Sequence, residues 1–309
     1  MIDANSTTEN FTRRALWAQI DLDAAAHNMR VIRKHVGPDV RIAAVVKANA
    51  YGHGAVELAR VFADNGADCF AVSSLDEGVE LRRYAGITKD IFILGHTDGR
   101  RTEELLAYHI EPAVFNLKNA EYYSEEASRL GQTLQVHIAI DTGMSRVGFL
   151  PSEETIEAIK KIASLPRIEI RGIFTHFATA DEKDKTFTHE QFKRFMWVCT
   201  RLENEGVHIP IRHCCNSAAT LEMPQYHLDM VRPGIIQYGC APSPDVSLEG
   251  FDFRPVMSLR CCAAHIKLID KGATVSYGRH FTCDQRRKIA VLPVGYADGY
   301  MRILSGKVD

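Results

Sequence analysis

Several apolar runs in this chain end on residues able to do chemistry. Ala43-Ala44-Val45-Val46 leads directly into Lys47. A lysine placed there is partly desolvated, which lowers its pKa and frees its amine to attack an aldehyde. The turn that follows, Gly52-His53-Gly54, lets backbone approach a bound group closely. The alternative is an ordinary strand-end lysine with its amine in water. A second run continues into Asp141-Thr142-Gly143-Met144-Ser145-Arg146. Arg146 there either grips a carboxylate or phenolate by paired hydrogen bonds or forms a surface ion pair. His176, in Thr175-His176-Phe177, is either part of a reacting centre or a satisfied structural group. Asn216-Ser217-Ala218-Ala219 opens a helical turn whose free N–H groups suit a phosphate, the alternative being a plain N-cap. Arg232-Pro233-Gly234-Ile235 adds a cation and an unencumbered backbone. A lysine nucleophile, an anion cradle and two arginines, Arg146 and Arg232, together suit pyridoxal 5'-phosphate held through Lys47.

These residues work together only if the chain brings them to one mouth. From Arg41 onward, strand-length apolar runs alternate with amphipathic segments. The runs are Ile42–Val46, Cys69–Ser73, Ile91–Leu94, Glu111–Phe115, Gln135–Ile140, Ile168–Thr175, Ile211–Cys215 and Leu228–Val231. Several are continuously apolar, as strands covered on both faces are. Helical patterns fall between them at Ala55–Asn65, Asp76–Tyr84, Asn116–Leu130, Glu153–Ser164 and His189–Gly206, with Ser152 placed to cap the fourth. Eight strands with intervening helices predict a (β/α)8 barrel with its working residues at the strand ends. An open doubly wound sheet is the competing arrangement, since periodicity does not show closure. After Pro233 the pattern becomes short strands and turns, at Ser258–Ile269, Thr274–Tyr277 and Ile289–Val294. Pro242, Pro244 and Gly250 set the expected boundary, giving a barrel over 12–241 and a mainly-β domain over 242–309.

Composition narrows the partners. The 309 residues hold 37 Lys plus Arg against 39 Asp plus Glu, a net charge of −2, so no basic footprint points to nucleic acid or an anionic membrane. Met1–Phe11 is polar and lacks the apolar core of a secretory signal, and no later stretch is apolar enough to span a bilayer. The 8 cysteines form no CxxC pair and read as reduced thiols, so no metal site is expected and a cytoplasmic location is.

The stretch from Ala44 to Gly54 resembles the cofactor signature of the alanine racemase family, pyridoxal-phosphate enzymes of fold type III. The likeness continues in family order through Asp141–Arg146, Thr175–Asp181, Asn216–Ala219, Val231–Ile235, Val275-Ser276-Tyr277-Gly278 and Gly295–Gly299. The resemblance implies conversion of L-alanine to D-alanine, which supplies peptidoglycan. It implies that Lys47 carries the cofactor and acts as one acid/base group, and that Tyr277 from a partner subunit is the other, in a homodimer sharing its active sites. Tyr51, Ser217, Gly234 and Ile235 would hold the phosphate, with Asn216 beside them. Arg146 would meet the cofactor's phenolic oxygen and the substrate carboxylate. Arg232, supported by His176, would face the pyridine nitrogen and keep it unprotonated, which separates racemisation from transamination.

Two departures from the family stand out. The family often has a lysine seven residues before the Arg146 position, where this chain has Ala139. The sequence also stops at Asp309, before the family's Cys-Met-Asp-Gln stretch and a later tyrosine, so a fragment of a longer chain is expected. Three other functions compete: a serine racemase, a decarboxylase of the same architecture, and a non-catalytic pyridoxal-phosphate carrier. A decarboxylase would carry acidic support at the pyridine nitrogen where this chain has Arg232, and a carrier would not need Tyr277.

Overall fold

The computed structural model describes residues 15–306; Met1–Phe11 and Asp309, considered above, lie outside the described residues. Two compact units divide the chain, Asp21–Val256 in one and the segments up to Ile20 and from Met257 in the other.

The larger unit is built on β2 (Arg41–Val45), β3 (Cys69–Val72), β4 (Ile91–Ile93), β5 (Ile110–Glu111), β6 (Ala113–Val114), β7 (Leu134–Ala139), β8 (Ile168–Phe174), β9 (Ile211–His213) and β10 (Met230–Val231). All pair in parallel, in the orders β10-β2-β3-β4-β5 and β6-β7-β8-β9. β5 and β6 belong to a single run broken at Pro112, which has no N–H to give to a ladder. That run joins the two sheets, with the Pro112 carbonyl accepting from His137 N–H at 3.0 Å. The ring closes where Arg232 N–H donates to the Cys215 carbonyl at 3.0 Å and Asp229 N–H to the Arg212 carbonyl at 3.1 Å. Eight staves therefore form a closed (β/α)8 barrel, not an open sheet.

Local chemistry sets the helices between the staves. Asn116 and Ser152 cap Leu117–Arg129 and Glu153–Ser164 with their side chains. The helix Leu22–Val36, capped by Asp21, precedes the first stave and went unmarked in the sequence reading. Mostly small side chains, with one aromatic ring, pack in the barrel interior: Ala43, Val45, Cys69, Ala71 and Phe92 belong to one buried cluster.

The units divide at different points from the sequence boundary. Residues 242–256 stay with the barrel: Val246 and Val256 are buried. Asn28 accepts from Arg254 N–H at 2.8 Å and donates to the Arg254 carbonyl at 2.8 Å. At the amino end, β1 (Leu16–Ile20) pairs antiparallel with β11 (Met257–Cys261), register Leu16 to Cys261, which places it in the smaller unit. There β12 (His265–Ile269) pairs with β15 (Arg287–Val291) and β13 (Thr274–Val275) with β14 (Phe281–Thr282).

Candidate active site at the barrel mouth

Lys47 leaves the carboxyl end of β2. Two buried donors hold the strand end two residues before it: Val45 O accepts from the Tyr238 hydroxyl at 2.8 Å and from Gln237 Nε2 at 2.6 Å. The chain then makes a left-handed turn, Ala48 to Tyr51, each with φ between 52° and 54°. Such backbone costs about 1–2 kcal/mol for each residue with a Cβ, so the surroundings must impose it. Glu77 Oε1 accepts from Ala48 N–H at 2.7 Å and Asn49 Oδ1 accepts from Ala55 N–H at 2.8 Å. The turn carries the Tyr51 ring back over the same mouth.

A cavity of about 280 Å³ opens at the strand ends, lined by Lys47, Tyr51, His176, Ser217, Arg232 and Gly234. Asn216 and Ile235 share its wall. Arg146, with Met144 and His176, lines an adjoining pocket. Its loop is held by Asp141, whose carboxylate accepts from the N–H groups of Gly143 and Ser145 at 3.0 and 2.9 Å.

One wall forms an anion cradle. Gly234 N–H donates to Ser217 Oγ at 2.8 Å, which leaves that hydroxyl's own proton free for a ligand. A Cβ at position 234 would sit 2.9 Å from the Tyr51 hydroxyl oxygen and 3.7 Å from Ser217 Oγ, so only glycine lets those hydroxyls converge. Asn216 serves as the N-cap, its side chain accepting from Ala219 N–H at 3.1 Å.

The rest of the lining is cationic. Burial lowers the Lys47 pKa, the Arg146 charge lowers it further, and Glu77 opposes them. His176 is held neutral by burial and by Arg232, Arg146 and Lys47, which push its pKa well below 6.5. Arg232 is buried, and burial lowers its pKa to about 10, so it stays protonated at neutral pH. Its Nη2 donates to the Thr175 carbonyl at 2.8 Å and lies 3.3 Å from His176 Nδ1. Its Nη1 donates to His213 Nδ1 at 2.9 Å.

His213 escaped the sequence reading, as did His137 and Glu111 behind it. The available signal was a polar residue inside each of three apolar runs. Ala139, at the family's lysine position, packs in an apolar cluster with Ala113 and Phe174, backed by Leu94 and Phe115. Tyr277 lies in the smaller unit, between β13 and β14, with 92% of its surface open.

A primary amine of lowered pKa, a hydroxyl and glycine cradle and two guanidinium groups around one barrel mouth fit pyridoxal phosphate: aldehyde to Lys47, anion to the cradle, ring against Arg232. Fold and site thus define a pyridoxal-phosphate enzyme built on a barrel with a β unit attached. The alanine racemase N-terminal domain profile matches residues 20–242 and the C-terminal domain profile residues 256–309. The alanine racemase of Clostridium tetani is 50% identical over 294 residues, 95% of this chain and 76% of that protein. Among solved structures, alanine racemase of Clostridium difficile 630 superposes with a TM-score of 0.87 at 41% identity, covering 94% of this chain and 76% of that one. That of Bacillus anthracis, solved with bound L-Ala-P, gives 0.82 at 36% identity, covering 95% and 76%. The chain belongs to the alanine racemase family, and its cofactor is pyridoxal phosphate. Among the described residues no helix is long and apolar enough to cross a membrane.

Proposed function

We propose that this chain interconverts L- and D-alanine by a two-base mechanism, with Lys47 on one face of the substrate and the partner subunit's Tyr277 on the other. The observation that carries the reading is the convergence of Lys47 with the Tyr51–Ser217–Gly234 cradle on one cavity, in a chain of this family. When bound, the cofactor supplies a conjugated ring that accepts electron density released at the substrate's α-carbon.

The chain's own groups do the rest. Ser217, Tyr51 and the Gly234–Ile235 backbone, which line the same cavity as Lys47, would hold the cofactor's phosphate. Arg146 binds the substrate carboxylate, leaving the α-hydrogen directed at one base or the other. Lys47, its amine favoured in neutral form by burial and by Arg146, takes or returns the proton on its side. Tyr277 does the same from the opposite face, which gives inversion in place of exchange with retention. Arg232, a donor only, would face the ring nitrogen, leave it unprotonated and so restrain electron withdrawal. The exposure of Tyr277 supports a role toward a second copy; the working unit of this reading is a homodimer, with the cytoplasm as its expected location.

Incubation with L-alanine in deuterium oxide tests the whole reading. Deuterium enters at the α-carbon together with the D-enantiomer, and neither forms with Lys47→Ala. Cofactor binding without exchange would leave a carrier protein in place of the enzyme.

A further inference from the structure

Behind Arg232 the barrel interior holds polar side chains for which the proposed reaction has no use. His213 Nε2 lies 3.0 Å from His137 Nδ1, and His137 Nε2 lies 2.7 Å from Glu111 Oε2. With the Arg232–His213 contact of 2.9 Å these make one unbroken row from the cavity wall into the core. All four residues are at most 6% exposed, so water does not substitute for any link.

The row is built, not incidental. The parallel ladder of β7 and β8 slips register between Val136 and His137, with Arg171 of β8 as the extra residue, and this sets Gly172 opposite His137. At Gly172 a Cβ would come within 2.4 Å of His137 Nδ1; only glycine leaves the ring its space. Phe92 stacks on His137 with centroids 4.9 Å apart, and Phe174 stacks on His213 at 5.2 Å.

We propose that Glu111 and His137 are positioning residues for Arg232, fixing through His213 a one-way hydrogen-bond row that holds the guanidinium against the cofactor's ring nitrogen. A guanidinium only donates and a carboxylate only accepts, while a neutral imidazole does one of each. Arg232 therefore requires His213 Nδ1 to be bare, so the His213 proton is on Nε2 and points at His137 Nδ1. The His137 proton is then on Nε2 and points at Glu111. Starting from Glu111 gives the same assignment, so both ends enforce one direction. Any reversal sets an N–H against the guanidinium. The hydrogen bonds of Arg232 go to imidazoles and carbonyls, and the row that starts from it ends on the Glu111 carboxylate. With the row broken, His213 is free to turn and Arg232 loses the contact that fixes Nη1.

The inference rests on the reading of Arg232 as the group facing the ring nitrogen. If so, breaking the row raises transamination, in which alanine's amino group passes to the cofactor's aldehyde carbon and pyruvate leaves, relative to racemisation. The test is the holoenzyme with histidine labelled in both ring nitrogens, in wild-type, Glu111→Gln and Glu111→Leu forms. Nitrogen NMR should find His137 and His213 protonated only at Nε2 in the wild type and in the Gln variant, whose carbonyl still accepts. The Leu variant should lose that preference at His137 and release about tenfold more pyruvate per racemisation, with alanine KM unchanged, as outer partners of reactive groups commonly matter by about 10–100-fold. A proton on Nδ1 of either ring in the wild type, or a Leu variant with the wild-type pyruvate ratio, overturns the proposal. The wild-type spectrum decides even if the Leu variant fails to fold. A cofactor attached away from Lys47 would sink the site reading while leaving the tautomer pattern standing.

Discussion

The barrel unit and the smaller β unit dispose of their apolar residues differently. In the barrel most stave residues are buried, and β3 has no exposed residue. In the smaller unit Leu259, Ile266 and Leu268 keep 54%, 57% and 56% of their surfaces open, and all five residues of β12 except Ile269 are exposed. The difference divides the chemistry. In the proposed reading the groups that grip the cofactor come from the barrel unit, whose core fixes them, while the proposed second base, Tyr277, sits on a strand-and-turn unit with 92% of its own surface open. Cofactor binding and racemisation should therefore separate under mutation. The chain spans about three quarters of the length of the relatives it matches, 76% for that of Clostridium tetani.

The sharpest way to break the comparison is Tyr277→Phe. Loss of a positioned acid/base group costs about 10²–10⁴-fold, so turnover should collapse while the cofactor's visible absorption stays. Wild-type turnover from both enantiomers would remove Tyr277 from the mechanism. Next in size, Gly234→Ala acts within the barrel alone. Overpacking a filled site costs about 1–3 kcal/mol, and the added methyl meets the Tyr51 hydroxyl oxygen at 2.9 Å. Cofactor affinity, followed by equilibrium dialysis, should fall about 10–100-fold with the fold intact; unchanged affinity would move the phosphate elsewhere.

The smallest effect is on stability. His176 and His213 are buried neutral, with pKa values pushed well below 6.5 by burial and by Arg232. In the unfolded chain they regain ordinary values and bind protons that the folded barrel does not. Their contribution is fully present above about pH 6.5 and is lost as pH falls below it. The Tm from calorimetry should drop between pH 7 and pH 5; a Tm that holds or rises would mean that these imidazoles are charged in the fold.

Sequence alone revealed the barrel because each stave is a local apolar run between polar helices, and Ser152 marked its helix by chemistry that acts over three residues. It missed what depends on partners distant in the chain. Leu16–Ile20 reads as a strand only once Met257–Cys261 lies beside it. Pro242 and Pro244 mark a change of direction, not a change of core, since Val246 and Val256 bury themselves with the barrel. At the site, Lys47, Ser217, Arg232 and Gly234 were visible because they end runs, where polar residues meet a mouth. Glu111, His137 and His213 were not, because a polar residue within a run looks like an interruption until its neighbours across the barrel are known.

Borohydride reduction of the cofactor-loaded protein, followed by peptide mass mapping, tests the central claim most directly. The account places the reduced pyridoxyl group on Lys47 and on no other lysine. An adduct at another lysine, or none at all, would contradict it.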